Sequence, residues 1–188
     1  MKHIKSILTK LLLIALGVSL GVFTACVGVD PQGRGYSVAV PMGMINTTLA
    51  NQFPVKEKRT LGTIEISDPT VLGKQGSDKL NIGTSFKFTN MLIPDGIGGS
   101  LKLASGVRFD PKTQNLYLAN PMVEELKFQD FSLAKYLTED MRRSLGMIIS
   151  ETIAKKPIYN IKKAGMIGSS LVRGIDVRDG QIYLTFGL

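Results

Sequence analysis

The chain has 188 residues, enough for one domain or two small ones. It is 44% hydrophobic and 20% charged with a net charge of +8, which excludes a disordered chain, a collagen and a coiled coil. Its single histidine and single cysteine, His3 and Cys26, both lie near the N-terminus, so a chain processed there keeps no side chains for a zinc site, a Ser–His–Asp triad or a Cys–His dyad.

Residues 1–25 divide into a positive stretch with Lys2, Lys5 and Lys10, an apolar run from Leu11 to Phe23, and small Thr24 and Ala25. That is the layout of a secretory signal peptide. Thirteen apolar positions fall short of the roughly 20 that a bilayer span needs, and Lys10 blocks extension backward. Phe23-Thr24-Ala25-Cys26 resembles a bacterial lipobox, which implies that export leaves Cys26 as an acylated first residue. A lone cysteine in an exported chain has no partner within it, and acylation accounts for it. Two or more acyl chains anchor stably to a bilayer. Val27 stands where enterobacterial lipoproteins retained in the inner membrane carry aspartate, so the resemblance implies the inner leaflet of the outer membrane, facing the periplasm. Loss of residues 1–25 lowers the net charge to +5, because they hold three lysines and no acid. That excess suits anionic head groups. No basic–aromatic interleaving argues for nucleic acid.

Residues 26–35 are read as the lipidated cysteine and a Gly- and Pro-rich tether, whose nine residues from Val27 to Gly35 reach about 30 Å when extended. Residues 36–188 are read as one domain. Met42, Ile45, Leu49 and Phe53 predict a short helix over Met42–Phe53, ended by Pro54. Strands follow at Gly62–Ile66, Lys79–Asn90, Ser100–Phe109 and Asn115–Met122, each alternating apolar and polar side chains as antiparallel strands with one covered face do. Asp68-Pro69 reads as a break, Asp95-Gly96 and Asp110-Pro111 as turns, and Gly96–Ser100 as a flexible hairpin turn. From Phe131 to Lys156 the period changes to four, through Leu133, Leu137, Met141, Leu145, Ile149 and Ile153. This predicts one helix of about 39 Å, with Ser132 as N-cap. A short strand at Ile158–Ile161, a short helix at Ala164–Val172 and closing strands at Ile175–Val177 and Ile182–Phe186 complete the chain. The strands need an apolar partner, and the expected fold is α+β, a strongly curved antiparallel sheet wrapped around that one long helix.

Ile45-Asn46-Thr47-Thr48-Leu49, Phe109-Asp110, Pro157-Ile158-Tyr159 and the run Gly174-Ile175-Asp176-Val177-Arg178-Asp179-Gly180-Gln181-Ile182, in this order behind an anchor cysteine, resemble the YceB-type lipoproteins of Gram-negative bacteria. That family has no defined function. Its fold resembles the tubular lipid-binding (TULIP) domains, and the resemblance implies a binder of lipid-sized apolar molecules rather than a catalyst.

The leading expectation is therefore an envelope lipoprotein, not an enzyme, that holds a lipid or another apolar ligand between sheet and helix and meets the membrane through its acylated N-terminus. Candidate lining residues are Ile82, Phe86, Phe88, Leu101, Leu103, Val107, Leu116, Leu118, Met122, Leu137, Met141, Leu145 and Ile149, all of which also read as plain core. No metal or cofactor is expected. The alternative is an assembly lipoprotein with a filled interior that docks an envelope protein. Thr84, Ser105 and Asn120 interrupt the inward faces, either at the mouth of a groove or at bulges and strand ends. Glu124 and Glu125 point to opposite faces of a strand and make no acid–base pair. Lys56, Lys58 and Arg59, Arg142-Arg143, Lys155-Lys156 and Lys162-Lys163 read as a solvated face or, if they cluster, as a seat on anionic lipid.

Overall fold

The computed structural model describes residues 27–30, 33, 35–165 and 171–187. Cys26, the expected signal segment and most of the expected Ala164–Val172 helix lie outside them. Among the described residues the fold is mostly β, with ten strands in two antiparallel sheets. The larger sheet is a meander of β3 (Val55–Arg59), β4 (Gly62–Leu72), β5 (Leu80–Thr89), β6 (Ile97–Asp110), β7 (Asn115–Phe128) and β8 (Tyr159–Asn160) in chain order. The smaller joins both ends of the chain, in the order β1 (Val27–Val29), β2 (Tyr36–Ala39), β10 (Gln181–Phe186) and β9 (Val172–Arg178). Three helices complete the described fold: α1 (Met42–Ala50), α2 (Phe131–Ala134) and α3 (Glu139–Ala154).

The long helix is the main correction. No sheet wraps a long helix, because the helical stretch breaks between Ala134 and Glu139. Asp130, not Ser132, caps α2 by accepting from the backbone N–H of Ser132 and Leu133. Thr138 then adopts extended backbone, φ −66° and ψ 161°, and its hydroxyl accepts from the Met141 N–H as a new N-cap. Glu139 and Asp140 stand in the first turn behind it, where the helix dipole favours acids. The 16 residues of α3 reach only about 24 Å, and the helix lies against β7 and touches β4.

Val27–Val29, expected in a free tether, pair with β2 in the register Val27↔Val38 to Val29↔Tyr36. The strand that starts at Gly62 runs on to Leu72, absorbing Asp68-Pro69 in a bulge with Asp68 at φ 52°. Gly98 and Gly99 belong to β6 rather than to a flexible turn. A Cβ on Gly99 would run into the Lys127 carbonyl and the Phe86 ring, so the strand passes there only without a side chain. The small sheet meets the large one through β9 against β6, and Ile182, Leu184 and Phe186 of β10 join Ile64, Phe88 and Leu101 in one core.

Candidate functional site

The expected lining residues form the core itself. Ile82, Phe88, Leu101, Leu103, Leu116, Leu118, Leu145 and Ile149 keep at most 1% of their surface, and Phe86 and Leu137 keep 3%. A chamber long enough for an acyl chain would leave more surface than that on the side chains around it. Val107 and Met141 pack at the edge of the same cluster. Met122 faces outward, 52% exposed. The β6–β7 register shifts at Lys102/Leu103 and again at Ala104/Gly106, which puts Val123, itself 43% exposed, rather than Met122 on the face opposite Leu103. There Val123 lies over Gly146 of α3.

The polar interruptions sit at these irregularities. The Thr84 hydroxyl donates to the Ser67 carbonyl at 2.7 Å beside the β4 bulge, and the Ser105 hydroxyl donates to the Ala119 carbonyl at 3.0 Å beside the β6–β7 shift. Asn120 is exposed with φ 49°. All three belong to bent backbone, which bulges leave with unpaired carbonyls.

A cleft of about 660 Å³ opens between α1, the start of β7 and the chain after α3. That volume falls within the roughly 300–1,000 Å³ usual for ligand sites. Met44, Thr48, Asn51 and Gln52 of α1 form one wall, and Asn115, Pro157, Tyr159, Asn160, Lys163 and Ala164 the other. Amide side chains hold the walls in place. Gln52 Nε2 donates to the carbonyls of Pro157, at 2.8 Å, and Thr48, at 2.9 Å. Asn160 Nδ2 donates to Asn115 Oδ1 at 2.6 Å, and Asn160 Oδ1 accepts from the Lys163 N–H at 2.7 Å. Asn46 fixes α1 to β4 by exchanging both its amide groups with the backbone of Val71, at 3.1 and 2.7 Å. Burial raises the pKa of the Tyr159 hydroxyl, which therefore stays protonated. Among the described residues the Lys163 ammonium makes no ion pair and the Asn51 side chain no hydrogen bond, so both are available to a ligand.

Of the basic pairs, Arg142 and Arg143 are engaged within the helical stretch. Arg142 bridges the two helices, donating to the carbonyls of Leu137 at 3.2 Å and Ala134 at 2.8 Å, with its guanidinium 5.4 Å from the centre of the Phe128 ring. Arg143 pairs with Asp140. On the outer sheet face Glu125 accepts from Lys102 and Lys127, which lowers its pKa from 4.5 to about 2. Its neighbour Glu124 is exposed. Among the described residues no group of His, Cys, Asp and Glu is arranged to hold a metal ion.

The cleft escaped the sequence reading because its residues come from three separate stretches and none is distinctive alone. A family model described as a protein of unknown function (DUF1439) matches residues 43–181, which takes in both walls of the cleft. No curated protein matches the chain.

Proposed function

We propose that this chain, which belongs to the DUF1439 family of proteins of unknown function, is a lipid-anchored envelope protein that works without catalysis by docking a protein partner on its outer surface. The observation that carries the reading is the filled core of the described residues, in which the side chains facing one another between sheet and helices leave an acyl chain no room. The lipobox-like Phe23-Thr24-Ala25-Cys26 and the likeness to YceB-type lipoproteins support the envelope address and acylation of Cys26. The α1–β8 cleft is the seat for the partner, since the Asn51 amide, which can both donate and accept, and the Lys163 ammonium stand ready beside its apolar wall.

A second reading, a small amphiphile in the same cleft, is favoured by the apolar wall of Met44, Pro157 and Ala164 beside the Lys163 ammonium. One experiment separates the two. With a photo-cross-linking side chain at Met44 in intact envelopes, protein docking yields a discrete protein adduct that the same probe at Ser100, on the outer sheet face, does not. Adducts to lipid alone favour the amphiphile, and no specific adduct at Met44 refutes docking in the cleft.

A further inference from the structure

An antiparallel meander sends alternate turns to opposite ends. The β3–β4 turn, the β5–β6 loop and the β7–α2 junction therefore gather at one end of the large sheet, and the cleft lies toward the other, beside the β6–β7 turn. The first end presents Leu61, Met91, Leu92 and Phe131 to water, the last three 98%, 73% and 85% exposed. This exposure is built rather than slack. Asn90 Oδ1 accepts from the backbone N–H of Leu92 at 3.0 Å and of Ile93 at 2.8 Å. Ile93 is buried, and its carbonyl accepts from the Gly96 N–H at 3.1 Å. The loop is pinned on both sides, with Met91 and Leu92 held outward. Gly62 lies against Thr89 and Asn90, which brings the Leu61 turn beside it.

Cations ring these side chains. Lys58 and Arg59 share a shallow depression with Leu61 and Met91, the Lys87 alkyl chain passes beside Gly96, and Lys135 follows Phe131. Of the acids nearby, Glu57 pairs with Arg59, Glu65, opposite Lys87 in the β4–β5 register, pairs with Lys56, Asp130 caps α2, and Asp95 is exposed on the loop. Among the described residues Lys58, Lys87 and Lys135 make no ion pair.

We propose that this end of the sheet inserts into an anionic bilayer surface, the apolar side chains entering the head-group boundary and the lysines meeting lipid phosphates. A protein groove fits poorly, because the apolar residues are spread over separate turns from β3 to β7, four strand spacings or about 19 Å. The proposal is independent of the role assigned to the cleft.

The chain has no tryptophan, so Leu92→Trp supplies a single reporter. The test uses a chain that starts at residue 26 with Cys26→Ser, which keeps both sheets and the whole described core. With vesicles of phosphatidylethanolamine and phosphatidylglycerol, the emission shifts to the blue and is quenched by lipids brominated near the head group. Vesicles of phosphatidylcholine alone bind at least tenfold more weakly, as does the Lys58→Glu/Lys87→Glu variant on anionic vesicles. A tryptophan at the far end, Lys112→Trp, keeps its water-exposed emission throughout. Emission of Leu92→Trp unchanged by anionic vesicles, or shifted only when envelope protein is added, overturns the proposal.

Discussion

Replacing Leu103 by alanine separates a solid core from a ligand chamber. Leu103 is fully buried at the centre of β6, between Ile82 of β5 and Val123 of β7. The substitution removes three carbons, about 2.4 kcal/mol at about 0.8 kcal/mol per buried methylene. Neighbours fixed in two strand ladders cannot collapse into the gap, so a cavity term brings the expected loss to about 3–5 kcal/mol. In a domain of this size that lowers the melting temperature by about 6–20 °C. Urea unfolding of the ligand-free protein measures it, read at unchanged slope so that the midpoint reports stability. Met122→Ala, on the exposed side of the neighbouring strand, is the control and costs about 0.5 kcal/mol or less. A loss below about 1 kcal/mol at Leu103, or a fatty acid that raises the melting temperature of the unaltered protein and is displaced by bulkier side chains at this position, would refute the solid-core argument.

Two further outcomes follow from local structure. Thr138→Ala removes the hydroxyl that caps α3 and lowers stability by about 1 kcal/mol in thermal or urea unfolding, whereas Ser132→Ala, at the position where the sequence suggests a cap, costs less than half of that. Glu125 has a depressed folded pKa, so its two lysine pairings stabilise the fold above the unfolded value of 4.5 and are lost as pH falls through about 2. Glu125→Gln accordingly lowers the urea midpoint at pH 6, and the difference from the unaltered protein closes between pH 4.5 and 2; a difference that stays constant across that range contradicts the assignment.

The sequence was most legible where one face of an element is covered and the other wet. The spans of β5 and β6 were readable to within about three residues, because Ile82, Phe86 and Phe88, and Leu101 and Leu103, alternate with polar partners. The helix break was hidden for a physical reason. Leu137 lies in the turn between α2 and α3 yet remains buried, so the four-residue apolar spacing runs straight through a gap in the helix. Thr138-Glu139-Asp140 carried the restart signal, a capping hydroxyl followed by two acids. In β3 four of the five residues are charged, and an edge strand with that composition shows no apolar alternation. Met122 was misplaced because a bulge inverts side-chain parity, and no spacing rule foresees the extra residue. The exposed end was partly legible: Met91-Leu92 places two large apolar residues inside a turn, where water favours polar ones.

That last contrast bears on how the molecule is used. Both ends of the large sheet are made of turns and junctions, and both face water under the same steric demands. At one end the turns carry mostly the residues that turns ordinarily take, exposed Leu72 at the end of β4 excepted, with Asn115 and Asn160 bonded to each other beside Asp110, whose pKa is lowered by hydrogen bonds from Thr113 and Lys112. At the other end the Asn90 turn is equally well formed, yet it displays Met91 and Leu92, and Phe131 stands exposed one residue after the Asp130 cap. Backbone geometry therefore does not account for the apolar side chains, since the turn is complete without them. Core packing does not account for them either, because Ile93 alone plugs the loop into the interior. What remains is the medium those side chains meet. An aqueous medium would favour polar residues at Met91, Leu92 and Phe131, and a lipid interface favours the residues that are there.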